Sequence, residues 1–224
     1  MRNIDSFATR KADVRPGLRA RLETSAARAV FVAMAMVVTG ATGAGADSFA
    51  LTSPDIGQGA RIADEQVYDR GDCKGGNVSP ALAWSGAPAA TRSFAVSMFD
   101  PGAPSLFSRA KTLVAGLFRA NASAAGFWHW WVVDIPADVT SLPKGAGSGA
   151  GLPSGAAQGR TTFGATAYGG PCPPLGPPHH YEITVYALDV ARLDVDPATP
   201  PAAIGAAVNQ HTLAKASITG VWGR

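Results

Sequence analysis

The sequence predicts a mainly β protein, a β-sandwich with helical additions, and three observations carry that prediction. Stretches dense in β-branched and aromatic residues, at 93–99, 129–135 and 181–188, have the composition of strands. The connections between them are long and rich in Gly and Pro, which break both helices and central strands. Helical periodicity is confined to two short segments, so strands must supply most of the core.

The chain carries a formal charge of +3, but the charge is unevenly placed. Of 19 Lys/Arg and 16 Asp/Glu, seven and three fall in residues 1–46, which leaves 12 and 13 in residues 47–224. The body is therefore close to neutral, and a nucleic-acid partner, which needs clustered cations on the folded surface, is not expected. After Arg28 the apolar run Ala29 to Val38 leads into small residues ending Ala44-Gly45-Ala46. Basic region, short apolar region and small-residue site together predict a secretory signal peptide over 1–46, cleaved after Ala46. The alternative is an uncleaved anchor, but the apolar part falls short of the ~20 residues of a stable membrane span. Residues 47–224 then form one exported domain, periplasmic or secreted.

Two cysteines remain, Cys73 and Cys172. In an exported chain an even pair admits a disulfide, the alternative being two buried thiols. Without C-x-x-C spacing they make no structural zinc site by themselves, and no cofactor is expected.

Along the domain, Asn77-Val78-Ser79-Pro80 and Trp84-Ser85-Gly86-Ala87-Pro88 are turn chemistry. Strand 93–99 is stopped by Asp100-Pro101-Gly102-Ala103-Pro104. Within Ser105–Gly126, residues 108–119 place Leu113, Val114, Leu117 and Phe118 on one side of a short helix, either packed on the sheet or acting as a lid. Strand 129–135 has almost no polar alternation, which predicts that both of its faces are covered. Residues 138–159 are too rich in Gly, Ala, Ser and Pro for long regular structure. A Pro-rich loop from Tyr168 to His180 feeds strand 181–188; a helix is expected over 200–216 and a last strand over 217–222.

If strands 93–99 and 129–135 pair antiparallel, Asp100 and His129 share one end of the sheet. A third strand entering from that end brings His179 and Tyr181 to them. Imidazoles that titrate near neutrality, a phenol and the amides of Gly169 and Gly170 are suited to a phosphate or carboxylate, with Asp100 orienting a ring.

These segments, taken in order, resemble the phosphatidylethanolamine-binding proteins, in particular their bacterial Raf-kinase-inhibitor-like members. The resemblance covers 48–224. It rests on Asn77-Val78-Ser79-Pro80 with Trp84, Asp100-Pro101-Gly102-Ala103-Pro104, Phe127-Trp128-His129-Trp130, Tyr168-Gly169-Gly170-Pro171 with Pro173-Pro174, His179-His180-Tyr181 and Tyr186-Ala187-Leu188-Asp189. It implies a Greek-key β-sandwich with a C-terminal helix, and a pocket for phosphate-like anions or phospholipid head groups lined by Asp100, His129, Gly170, His179 and Tyr181. Two positions depart from the family pattern: Gly102 stands for an Asp, and His180 for an Arg.

The leading expectation is an exported binding protein for a small anionic or phosphorylated ligand, with a kinase-inhibitor-like regulatory role open. One alternative is a hydrolase or metal-dependent enzyme using the Asp/His group, although H-E-x-x-H and G-x-S-x-G are absent. The other is a protein-interaction inhibitor. A protein partner and a homodimeric state stay open.

Overall fold

The computed structural model describes residues 48–103, 126–193 and 195–224. The leader, its cleavage site and the helix expected at 108–119 lie outside the described residues. Eight strands are present among those described: β1 (Ala50–Thr52), β2 (Leu82–Ser85), β3 (Ser93–Asp100), β4 (Phe127–Pro136), β5 (Ser141–Leu142), β6 (Ala157–Gln158), β7 (His179–Leu188) and β8 (Thr212–Trp222). They form two antiparallel sheets, one in the order β1-β2-β5 and the other β6-β4-β3-β7-β8. The single α-helix of the described residues, α1, spans Pro201–Gln210.

The larger sheet is covered on both faces, as the unbroken apolar character of β4 predicts. Successive side chains of a strand point to opposite faces, and the core divides accordingly. On the inner face Phe94, Val96 and Met98 of β3, Trp130 and Val132 of β4, and Ile183 and Val185 of β7 pack against Leu51, Leu82, Trp84 and Leu142 of the small sheet. On the outer face Ala95, Trp131, Val133, Tyr186 and Leu188 receive Ile204 and Val208, one turn apart on α1. Gly205 lets the helix approach closely: a Cβ there would lie 3.3 Å from the ring of Trp128 and 3.4 Å from that of Trp131.

The helix is shorter than the composition suggests. It ends at Gln210, with the His211 N–H donating to the Val208 carbonyl, and residues 212–216 belong to β8 rather than to the helix. Ala-rich propensity yields here because β7 offers ten residues of edge, and the pairing runs from Leu188↔Thr212 to His179↔Trp222. Likewise β7 begins at His179, two residues before the start expected from composition. Residues 138–159 hold two-residue strands and one 3₁₀ turn, in keeping with their composition.

Cys73 and Cys172 form a disulfide with Cα atoms 6.0 Å apart. It ties the loop after β1 to the Pro-rich loop before β7, closing a separation of 99 residues.

Candidate functional site

The site is the continuation of the inner core at one end of the larger sheet, where hydrocarbon gives way to polar groups. In β3 the inward series Phe94, Val96, Met98 has Asp100 as its next member; in β7 the series Ala187, Val185, Ile183 continues to Tyr181 and His179. The antiparallel register pairs Phe99 with Glu182, so Asp100 and His179 end neighbouring strands.

His129 reaches the same place by an irregularity. Met98 pairs with Trp130 and Phe99 with Trp128, which leaves His129 as the extra residue of a β-bulge. Strict alternation would send His129 to the outer face with Trp131. The bulge reverses the parity: Trp130 and His129 both face inward, Trp128 packs outward with Trp131, and Phe127 returns to the cavity.

The cavity has a volume of about 180 Å³. Its polar wall is Asp100, His129, His179 and Tyr181; its apolar wall is Ala103, Phe127, Phe163, Pro173, Pro174 and the disulfide residue Cys172. Four of the five sequence-predicted residues therefore line one space.

Asp100 is 2% exposed and doubly engaged. Its Oδ2 accepts the His179 Nδ1–H at 2.6 Å and its Oδ1 accepts the Gly102 N–H at 2.8 Å. With Nδ1 held by the carboxylate, His179 presents Nε2 as its remaining ring nitrogen.

His129 is 4% exposed, with the rings of Phe127, Tyr181 and Phe163 at 4.9, 5.2 and 5.4 Å from its own. Its Nδ1 lies 2.7 Å from the Gly169 carbonyl, an acceptor only, so Nδ1 carries the hydrogen. Burial lowers this ring from its ordinary 6.5 to about 4; the Gly169 carbonyl, Asp100 and the Gly170 backbone oppose the shift without cancelling it. The ring is neutral near pH 7, which corrects the expectation that both imidazoles can carry charge there.

Tyr181 is fully buried, and its hydroxyl has no hydrogen-bond partner among the described residues. Burial, with Asp100 nearby, raises the phenol well above its usual range, so it stays protonated.

Gly170 does not line the cavity. Its N–H donates to Asn77 Oδ1 at 2.8 Å, and the Gly169 N–H donates to the His129 carbonyl at 3.0 Å. Neither amide is left for an anion, a correction to the expectation that both are ligand donors. Their role is support: Gly169 binds His129 through both its N–H and its carbonyl. Gly170 lies so close to the 66–68 backbone that a Cβ would fall 2.1 Å from the Gln66 carbonyl oxygen.

Three features were not read from the sequence. Phe163 comes from a loop with no distinguishing pattern, yet it stacks on Tyr68 at 4.6 Å and edges onto His129. Asn77, recognised as a turn residue, works by holding Gly170 across 93 positions. Cys172, beyond forming the disulfide, is part of the cavity wall. As for the departures, a Cβ on Gly102 would meet Asp100 Oδ1 at 3.4 Å and His179 Nδ1 at 3.9 Å, so the position borders the Asp–His pair. His180 is exposed and lines a separate groove with Pro101, Gly102, Pro177, Pro178 and His179.

Fold and cavity together define the class, an antiparallel β-sandwich with a polar cavity continuing the inner face of its larger sheet. The chain belongs to the phosphatidylethanolamine-binding protein family, whose model matches residues 52–223. It is 42% identical to UPF0098 protein YbcL of Escherichia coli (strain K12) over 180 residues, 79% of this chain and 88% of the relative. UPF0098 protein YbhB of the same organism is 41% identical over 173 residues, 77% of this chain and 98% of that one. The crystal structure of Escherichia coli YbcL, described as a new member of the mammalian PEBP family, matches with a TM-score of 0.69, covering 79% of this chain and 99% of that one. CT736 of Chlamydia trachomatis D/UW-3/CX, described as a homologue of the same family, matches at 25% identity with a TM-score of 0.60, covering 79% and 98%.

Proposed function

We propose that the chain is an exported binding protein that holds a small phosphorylated anion, either phosphate or a phosphorylated head group, between His179, Tyr181 and His129. The leader ending at Ala46 supports export, and the Cys73–Cys172 bridge suits an oxidising compartment. Tyr181 is the observation that carries the ligand reading. A buried hydroxyl without a partner costs free energy, and since Tyr181 is one of the residues lining the polar cavity, a ligand oxygen that reached this hydroxyl would satisfy it. The volume of about 180 Å³ lies below that of drug-sized sites, roughly 300–1,000 Å³, so the cavity suits a head group rather than an acyl chain.

Asp100 and His179 also have the geometry of an acid orienting a base, which is the feature a hydrolase would use. The test is a calorimetric titration of the full chain with inorganic phosphate, beside a turnover assay with an aryl phosphate. Saturable binding lost in His179→Ala, without turnover, is expected. Turnover that vanishes in His179→Ala overturns the binding-only reading.

A further inference from the structure

We propose that His129 makes the cavity select anions that themselves donate a hydrogen bond, such as phosphate or a phosphomonoester carrying P–O–H, over oxyanions without a proton. The inference rests on the ligand reading above and sharpens it.

The argument starts from the tautomer. Gly169 takes the Nδ1 hydrogen through its carbonyl at 2.7 Å and fixes the strand beneath through its N–H at 3.0 Å, so the ring is held at both its edge and its base. A neutral imidazole with hydrogen on Nδ1 has a bare lone pair on Nε2. The groups facing the ring are Asp100 from β3, His179 and Tyr181 from β7, the backbone of Gly169 and Gly170, and the uncharged rings of Phe127 and Phe163. Burial keeps the ring neutral above about pH 4 despite Asp100.

An acceptor in this position is the wrong partner for a fully ionised oxygen, because two lone pairs would face each other in a desolvated space. It is the right partner for P–O–H. Tyr181, its ring 5.2 Å from that of His129, carries the unpartnered hydroxyl that would be the complementary donor to a P–O⁻ of the same anion. Donor and acceptor on adjacent walls thus match an anion that is itself half protonated.

Methyl phosphate and methyl sulfate provide the probe pair. At about pH 5, below the second phosphate ionisation near 6, both are tetrahedral monoanions of similar size, and only the phosphate carries a proton. In chemical-shift titrations of the full chain, methyl phosphate is expected to bind about tenfold tighter or better, the effect of one buried acceptor left unpaired. In His129→Phe the ratio should fall to about one, through loss of methyl phosphate affinity. Equal affinities in the unaltered chain overturn the selection while leaving anion binding intact, and binding of neither probe overturns the ligand reading itself. A preference that survives in His129→Phe overturns the role of His129. The comparison of the two probes on the unaltered chain stands even if the variant does not fold.

Discussion

Lowering the pH from 6.5 to about 4 should destabilise the protein through one identifiable group. In the unfolded chain the His129 ring takes up a proton near 6.5; in the folded chain burial delays uptake to about 4. Between these values the unfolded state binds more protons, so stability falls as pH falls and is fully retained above 6.5. The gap corresponds, at about 1.4 kcal/mol per pH unit, to roughly 3 kcal/mol lost by pH 4. Other groups titrate in the same range, and His129→Phe separates their contribution. Above pH 6.5 the variant should be less stable by about 1–3 kcal/mol, since the Gly169 carbonyl loses its donor. Urea unfolding followed by tryptophan fluorescence, repeated at half-unit steps of pH, measures the difference between the two proteins. That difference should move by roughly 3 kcal/mol in favour of the variant as pH falls to 4. Movement of less than about 1 kcal/mol would refute the claim that this imidazole is held neutral by burial.

Tyr181→Phe should separate stability from binding: without ligand the variant is as stable as the original or up to about 1 kcal/mol more so, because an unpaired hydroxyl is removed. Its phosphate affinity should nevertheless fall by about fivefold or more, and a loss of stability with unchanged affinity would count against the hydroxyl as ligand donor. Reduction of the Cys73–Cys172 bridge opens a loop of 99 residues and should lower the thermal midpoint by about 10 °C or more, read by calorimetry with and without reductant. Gly170→Ala places a Cβ against the Gln66 carbonyl and should cost on the order of 1–3 kcal/mol in chemical denaturation.

How much was legible depended on how regular each element is. The period of two along β3 and β7 is visible as Phe94, Val96, Met98, Asp100 and as His179, Tyr181, Ile183, Val185, so three of the cavity residues share a face by pattern. Their meeting also required that β7 pair directly with β3, which chain order permits and does not dictate. Boundaries were less legible. The expected helix runs on to Ala216 from the Ala-rich segment that forms α1, and pairing with the long edge of β7 makes residues 212–216 a strand instead. The charge state of His129 could not be read from its neighbours in sequence, since it depends on aromatic rings as distant as Phe163 and Tyr181. Hydrogen-bond accounting was equally hidden: the Gly169 and Gly170 amides look available until His129 and Asn77 are seen to accept from them.

The unpaired His129 in β4 has a consequence for how such a chain tolerates change. Because inward and outward positions alternate, deleting Trp128 would restore even counting and send the imidazole of His129 toward the helix-covered side. Lengthening or shortening the connection 137–140 leaves that counting untouched. A change of length in 137–140 therefore leaves the ring where it is, whereas within 127–130 a single surplus residue decides which side of the sheet it occupies.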